Sequence, residues 1–236
     1  MASPSPAPAA VIFDNDGLLL DTESVWTRAE EVLYVRRGLD FTLEHKRELV
    51  GTSAEIAGGI MEERLGEPGR AAEIIAELNE LVLAELERGV QAMPGAERLL
   101  AALRRLGVPL GLVSNSPRLF IERALELARL GEEFDAIVSG HEVDRPKPAP
   151  DAYLEACAQL GVAPGAAIAL EDSPTGVAAA RAAGLKVIGI PSLAGIALAE
   201  ADHVGGSLED PRVLELLGLE ASISRPAELR DLRGDG

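Results

Sequence analysis

Val11-Ile12-Phe13-Asp14-Asn15-Asp16-Gly17-Leu18-Leu19-Leu20-Asp21-Thr22 decides the fold, because an apolar run stops abruptly at two carboxylates one residue apart. Residues 10–13 are short, apolar and partly β-branched, the pattern of a buried strand. Ligands of open α/β sheets bind outside the carboxyl ends of strands, so Asp14 stands where chemistry is done. Gly17 lets the chain leave the strand end by a turn that a Cβ would hinder. A calcium loop of the EF-hand kind needs oxygen ligands at further alternating positions and a Glu at the twelfth. Leu18, Leu19 and Leu20 occupy that region instead, so the calcium reading fails.

Composition bounds the rest. The 236 residues are 47% hydrophobic, enough to bury a core in one domain with an insertion or in two small domains. A net charge of -17, from 39 acidic and 22 basic residues, opposes binding to nucleic acid or to an anionic membrane surface. A phosphate site in such a protein must be made locally positive, and Lys46, Lys147 and Lys186 are the lysines available. Cys157 alone excludes an intramolecular disulfide and a Cys-based zinc site, and fits a reducing, cytoplasmic compartment. Residues 1–9 have no basic or apolar signal region and read as a disordered leader; residues 219–236 read as a polar tail. No apolar run reaches the roughly 18 residues of a membrane span.

Residues 22–89 lack strand alternation and read as a small helical unit. Val25, Trp26, Ala29, Val32 and Leu33 recur at helical spacing, as do Ile74, Ile75, Leu78, Leu81 and Val82. Gly51-Thr52-Ser53, Gly58-Gly59 and Gly66-Glu67-Pro68-Gly69 punctuate the unit with turns. From Met93 the pattern becomes helices alternating with short apolar runs, the signature of a parallel sheet. Leu99, Leu100, Leu103 and Leu106 form a helix stripe ended by Gly107. Strands are expected over 110–113, 136–138, 167–170 and 187–190, with helices over 117–130, 151–160 and 174–183. Ser114-Asn115-Ser116-Pro117 and Glu171-Asp172-Ser173-Pro174 share one grammar, a strand end followed by a Ser cap and a Pro in the first helical turn. Helix starts placed this way favour a phosphate dianion.

Four features thus stand at strand ends or in loops: Asp14 with Asp16, Ser114 with Asn115, Lys147 in Arg145-Pro146-Lys147-Pro148, and Glu171 with Asp172. In this order they resemble the four motifs of the haloacid dehalogenase superfamily, in its β-phosphoglucomutase-like subgroup with a helical cap inserted after the first motif. The resemblance spans residues 11–217. It implies a Rossmann-like parallel sheet core of residues 10–21 and 90–218 with an inserted α-helical cap of residues 22–89.

The resemblance also implies roles. Asp14 is the expected nucleophile, forming an aspartyl-phosphate, and Asp16 the acid that protonates the leaving oxygen and then activates water. Ser114 and Asn115 are expected to bind phosphoryl oxygens, and Lys147 to contact both Asp14 and the phosphate. Two like charges about 4 Å apart cost roughly 4 kcal/mol at an effective dielectric near 20, so cations must offset the repulsion between Asp14 and a phosphate. Mg2+ is expected between Asp14, the Asp16 carbonyl and Asp172, with Glu171 assisting. Asp21 and Thr22 are hinge candidates, and Trp26, Thr52 and Ser53 candidate cap contacts. Asn15, where the subgroup carries an apolar residue, and Glu23 carry no assigned role.

Dehalogenases lack the second aspartate and the metal, and hydrolysis of the phosphonoacetaldehyde type needs a reactive cap lysine. Lys46 is the one cap lysine, and its neighbours Glu44, His45, Arg47 and Glu48 read as a solvated face. His45, His141 and His203 are too scattered for a triad or a histidine metal site. A β-phosphoglucomutase-like isomerase would share every core motif but carries a histidine and an arginine where this chain has Trp26 and Ala54. Asp-Thr-Glu followed by Trp resembles the sugar-phosphate phosphatases of the subgroup instead. The expected activity is therefore a magnesium-dependent phosphomonoesterase acting on a small phosphorylated metabolite, a sugar phosphate, with no nucleic-acid or membrane partner and with a monomer sufficient. A protein that binds a phosphometabolite without turning it over is the remote alternative.

Overall fold

β1 (Ala10–Phe13) lies inside a parallel sheet formed with β2 (Leu110–Ser114), β3 (Ala136–Ser139), β4 (Ala167–Glu171), β5 (Lys186–Gly189) and β6 (His203–Val204). The computed structural model describes residues 7–50, 52–192 and 195–219; the expected leader up to residue 6, Gly51 of the expected turn and the tail from residue 220 lie outside the described residues. Strand order is β3-β2-β1-β4-β5-β6. The chain winds outward from β1 to β3 on one side, then returns to β4 and winds out on the other, which opens a crevice at the carboxyl ends of β1 and β4.

Period-two alternation along β1 feeds two cores. Val11 and Phe13 pack on one face with Leu110, Leu112 and Leu170, under α5 (Ala96–Arg105), α6 (Arg118–Leu127) and α9 (Pro211–Leu216). Ala10 and Ile12 pack on the other with Val113, Ala169 and Val187, under α7 (Asp151–Leu160) and α8 (Pro174–Ala182). Each fully buried Leu or Ile of this kind contributes about 1.5–3 kcal/mol. Buried on both faces, the strands read as continuous apolar runs, which is why the sequence located them to within a residue. The two-residue β6 carried no such run and was not expected. Leu106 falls beyond the end of α5 and is 51% exposed, not part of the stripe, because Gly107 already turns the chain at φ +71. α6 ends at Leu127, three residues short of the expected end. At the chain margins, Ala9 already joins the sheet through its N-H to Ala166 O, and Leu219 is buried.

Between β1 and β2 the chain forms α1 (Thr22–Val35), α2 (Leu43–Leu49), α3 (Ala54–Leu65) and α4 (Ala71–Leu86). Ala29 and Leu33 of α1 and Ile74, Leu78 and Val82 of α4 are buried in the seam between these two helices. The expected turn at Gly58-Gly59 lies inside α3. Gly58 packs against α4, where an added Cβ would stand 3.2 Å from Ala71 Cβ and Ile75 Cγ1, so the glycine serves a close helix crossing instead of a chain reversal.

The two segments joining this cap to the sheet run side by side. Asp21 N donates to Gln91 O at 2.9 Å and Met93 N to Leu19 O at 2.8 Å. The cap also meets the core through Trp26 on Phe120, with centroids 5.4 Å apart, and through the Arg123 fork on Glu87. Among the described residues no helix is long and apolar enough to cross a membrane.

Candidate active site

Asp14 follows β1 directly, its N-H still donating to Leu170 O in the sheet ladder, while Glu171 closes β4 and Asp172 follows it. The sheet thereby brings residues more than 150 positions apart to one crevice. Two glycines make room for the carboxylates. Gly17 turns at φ +81, where a Cβ would stand 2.7 Å from Asp172 Oδ2, and a Cβ on Gly176 would overlap the Glu171 carboxylate at 2.0 Å.

Lys147 reaches the same point from a loop. Its Nζ donates to Asp14 Oδ1 at 2.6 Å, Glu171 Oε1 at 2.6 Å and Val113 O at 2.9 Å, which uses all three of its protons. The lysine is 3% exposed, so this is no solvated surface residue. Burial works against its charge, but Asp14 and Glu171 outweigh it and hold the ammonium protonated, above the ordinary range. The Asn115 side chain fixes the loop, accepting from Lys147 N at 3.1 Å and donating to Lys147 O at 3.2 Å. The Lys147-Pro148 peptide is cis.

Three carboxylates meet beside this lysine, two of them bonded to it. Asp14, Glu171 and Asp172 each offer an oxygen within 4.8 Å of the others. Asp14 Oδ2, Glu171 Oε2 and Asp172 Oδ2 are buried without a hydrogen-bond partner. Burial pushes both the Asp14 and the Asp172 carboxyl well above the usual range; Lys147 opposes this at Asp14, and Glu171 adds to it at both. Buried, orphaned and mutually repelling oxygens on three acids fit a hard divalent cation.

Asp16 belongs to a different cluster. Its Oδ1 accepts from Thr22 Oγ1 at 2.7 Å and Asn15 Nδ2 at 3.1 Å, and its Oδ2 from Ser114 Oγ at 2.6 Å and Ser116 Oγ at 2.9 Å. The Asp16 side chain is therefore outside the three-acid group, and the Ser114 hydroxyl is committed to it. Ser116 does not cap α6 as expected; Pro117 occupies the cap position without a side-chain bond, and the Ser116 hydroxyl goes to Asp16. The parallel expectation for Ser173 is met, since its hydroxyl accepts from Gly176 N with Pro174 in the first turn.

One pocket joins these groups to the cap. Asp14, Asp16, Asn115, Ser116, Lys147, Asp172 and Ser173 line its floor, and Glu23, Trp26, Glu30, Lys46, Thr52, Ala54 and Asn79 are among its cap walls. Trp26 and Thr52 thus reach the pocket. Ser53 does not; its hydroxyl accepts from Ile56 N and caps α3. Asp21 is exposed and caps α1, whereas Thr22 is fully buried and bound to Asp16.

Lys46 overturns its expected solvated face. It is 5% exposed, with Nζ 2.8 Å from Glu23 Oε2 and 3.1 Å from Glu30 Oε2. Its charged sequence neighbours point elsewhere on α2 while Lys46 itself turns inward. The scarcity of lysine that singled out Lys147 applied equally to Lys46 and was the signal for it. Tyr153 was missed as well. It is fully buried on α7, donates to Glu171 Oε1 and lies with its ring 5.3 Å from Lys147 Nζ. Its place among the apolar residues of a helix gave no sign of a polar task.

Comparison with known proteins agrees with this geometry. The family model for haloacid dehalogenase-like hydrolases matches residues 11–190. Hexitol phosphatase B of Escherichia coli K12 is 31% identical over 185 residues, covering 78% of this chain and 83% of that protein. Among solved structures, CbbY of Rhodobacter sphaeroides in complex with phosphate superposes with a TM-score of 0.75 at 30% identity, covering 85% of this chain and 95% of that one. β-Phosphoglucomutase of Clostridium difficile superposes with the same TM-score at 23% identity, covering 85% and 92%, a likeness of fold. With its switch-point acids, its buried lysine and its inserted helices, the chain belongs to the haloacid dehalogenase-like hydrolase family.

Proposed function

We propose that the chain is a magnesium-dependent phosphatase that hydrolyses a small phosphomonoester, a sugar phosphate, through an aspartyl-phosphate on Asp14. The observation that carries this reading is Asp14 Oδ2, a buried carboxylate oxygen with no partner, held beside Lys147 at the floor of a pocket. The other oxygen is anchored on Lys147, so the free one is presented in a fixed direction.

Asp14 Oδ2 attacks phosphorus, the bond from phosphorus to the leaving oxygen breaks, and Asp16 gives that oxygen a proton. Asp16 then takes a proton from water, which attacks phosphorus and releases Asp14. Thr22, Ser114 and Ser116 orient Asp16 between these steps, and the Lys147 charge offsets the approach of carboxylate to phosphate. Asp14, Glu171 and Asp172 would hold Mg2+, which supplies further charge neutralisation for the phosphoryl oxygens. The likeness to a hexitol phosphatase supports a phosphorylated polyol or sugar as substrate.

A mutase would need to hold a second phosphate in the cap. The pocket offers Ala54 and Trp26 where that subgroup carries an arginine and a histidine, so water is the final acceptor. The test is phosphate release from a panel of sugar phosphates with and without Mg2+, with glucose 6-phosphate formation from β-glucose 1-phosphate followed in parallel. Free phosphate that requires the metal is the expected result. Glucose 6-phosphate without free phosphate would overturn it in favour of the mutase.

A further inference from the structure

The cap wall facing the catalytic floor carries a buried charged group that phosphoryl transfer does not use. Lys46 Nζ stands between Glu23 Oε2 and Glu30 Oε2, and the side chains of Lys46 and Glu30 are 7% and 4% exposed. All three residues line the pocket that holds Asp14 and Asp16. Replacing buried ion groups with well-packed apolar residues is often neutral or stabilising, so stability alone gives no reason for charges here.

We propose that Glu23, Glu30 and Lys46 form the leaving-group subsite, which selects monophosphates of neutral polyhydroxylated alcohols and excludes alcohols that carry a second anionic group. This rests on the phosphatase reading above and names the substrate class of that same pocket. The hydrogen-bond inventory favours it. Two carboxylates offer up to about eight acceptor positions, whereas an ammonium has three protons, so acceptors are left in excess. Lys46 is the donor that both glutamates share, at 2.8 and 3.1 Å. Hydroxyl groups both donate and accept and so match such a wall. A phosphate or carboxylate can only accept, and it would meet a group whose formal charge is -1. Trp26, in the same wall, offers an apolar face to the C-H side of a polyol. Glu23 and Lys46 also line the neighbouring surface groove that contains Thr27, Phe41 and Ser192, so their pair partitions the pocket from that groove and limits the length of the leaving group.

The experiment compares kcat/KM for glucose 6-phosphate and glucitol 6-phosphate with that for fructose 1,6-bisphosphate and 2-phosphoglycolate, using full-length protein in Mg2+. p-Nitrophenyl phosphate serves as a reporter of phosphoryl transfer without a polyol. The wild type is expected to favour the neutral alcohols by at least about 10-fold, since repulsion and unpaired buried acceptors both act against the anionic ones. In the Glu23→Gln/Glu30→Gln double variant that ratio falls at least about 10-fold, mainly through KM. Because the ratio is taken on one preparation, changes in the catalytic floor or in the folded fraction cancel. The Glu23→Gln single variant, which makes the group neutral while keeping Glu30 on Lys46, is the second probe should the first fold poorly; it too is expected to lower the ratio. A wild type that prefers the anionic substrates, or a ratio unchanged in both variants, would overturn the inference while turnover of p-nitrophenyl phosphate leaves the phosphatase reading standing. Absence of phosphate release from every substrate, that reporter included, would overturn both.

Discussion

Two lysines in this chain are buried between carboxylates, one on the floor of the pocket and one in its wall, and they differ in what they leave over. Lys147 pairs with Asp14 and Glu171, Asp172 stands beside those two, and each of the three acids keeps an unpartnered buried oxygen. Lys46 faces two, at 2.8 and 3.1 Å, one of which is partly solvated. The floor is fixed by strand ends and cannot relax its excess charge, so it requires a cation. The wall is built from α1 and α2, nearly balances its charge, and has an excess of acceptors instead of an excess of strong repulsion. Similar side chains therefore make a metal centre in one place and a hydroxyl-reading surface in the other.

Substitutions can break this contrast, beginning with the largest effect. Asp14→Asn is expected to lower turnover by at least about 10³-fold while leaving the far-UV circular dichroism unchanged. A variant with near wild-type rate would place the nucleophile elsewhere. Next, Lys147→Met in chelated protein strands two buried carboxylates and should cost about 3–5 kcal/mol, roughly 10 °C in Tm for a chain of this size. Lys46→Met should cost less, because Glu23 retains 16% side-chain exposure and can be rehydrated. Equal losses in thermal melts of the two variants would remove the distinction drawn between floor and wall.

A smaller effect is expected at Tyr153, which donates to Glu171 and lies beside Lys147. Tyr153→Phe should weaken Mg2+ binding about 10-fold, as removal of a group that orients a metal ligand does. Metal titration by thermal shift reads this directly. A change in the Tm of chelated protein with unaltered metal affinity would make the tyrosine structural only.

The smallest effect is on pH. Burial raises the Asp14 and Asp172 carboxyls when the chain folds. A carboxyl raised in this way contributes stability that is complete below its unfolded pKa of about 4 and is lost as pH rises through the folded value. Chelated protein should therefore melt at a lower temperature at neutral than at mildly acidic pH, and Mg2+ should flatten that slope. Asp172→Asn should flatten it without metal. Carboxyls held low by arginines, such as Glu67 and Glu77, favour neutral pH in wild type and variant alike, so the comparison between them is decisive. A chelated wild type whose Tm changes from mildly acidic to neutral pH just as that of Asp172→Asn does would contradict the charge excess assigned to the floor.

The same contrast explains what could be read from the chain beforehand. β1, β2 and β4 are apolar runs that end in functional residues, so both the sheet and Asp14, Ser114, Glu171 and Asp172 were legible together. Lys147 was legible from its flanking prolines and its rarity. Gly58-Gly59 misled because glycine marks close packing as well as turns, and only the α3 to α4 crossing distinguishes the two. Ser116 misled because a hydroxyl before proline is a good cap unless a carboxylate 100 residues away competes for it. Lys46, Glu23 and Glu30 were hidden because helix faces, not neighbours in sequence, decide burial.

The most direct test of the account is the rate of phosphate release from the preferred sugar phosphate as Mg2+ is returned to chelated wild-type protein. The account predicts a rate at background without metal that climbs saturably as the floor takes up its cation. Full turnover in chelator, unaffected by added Mg2+, would contradict it.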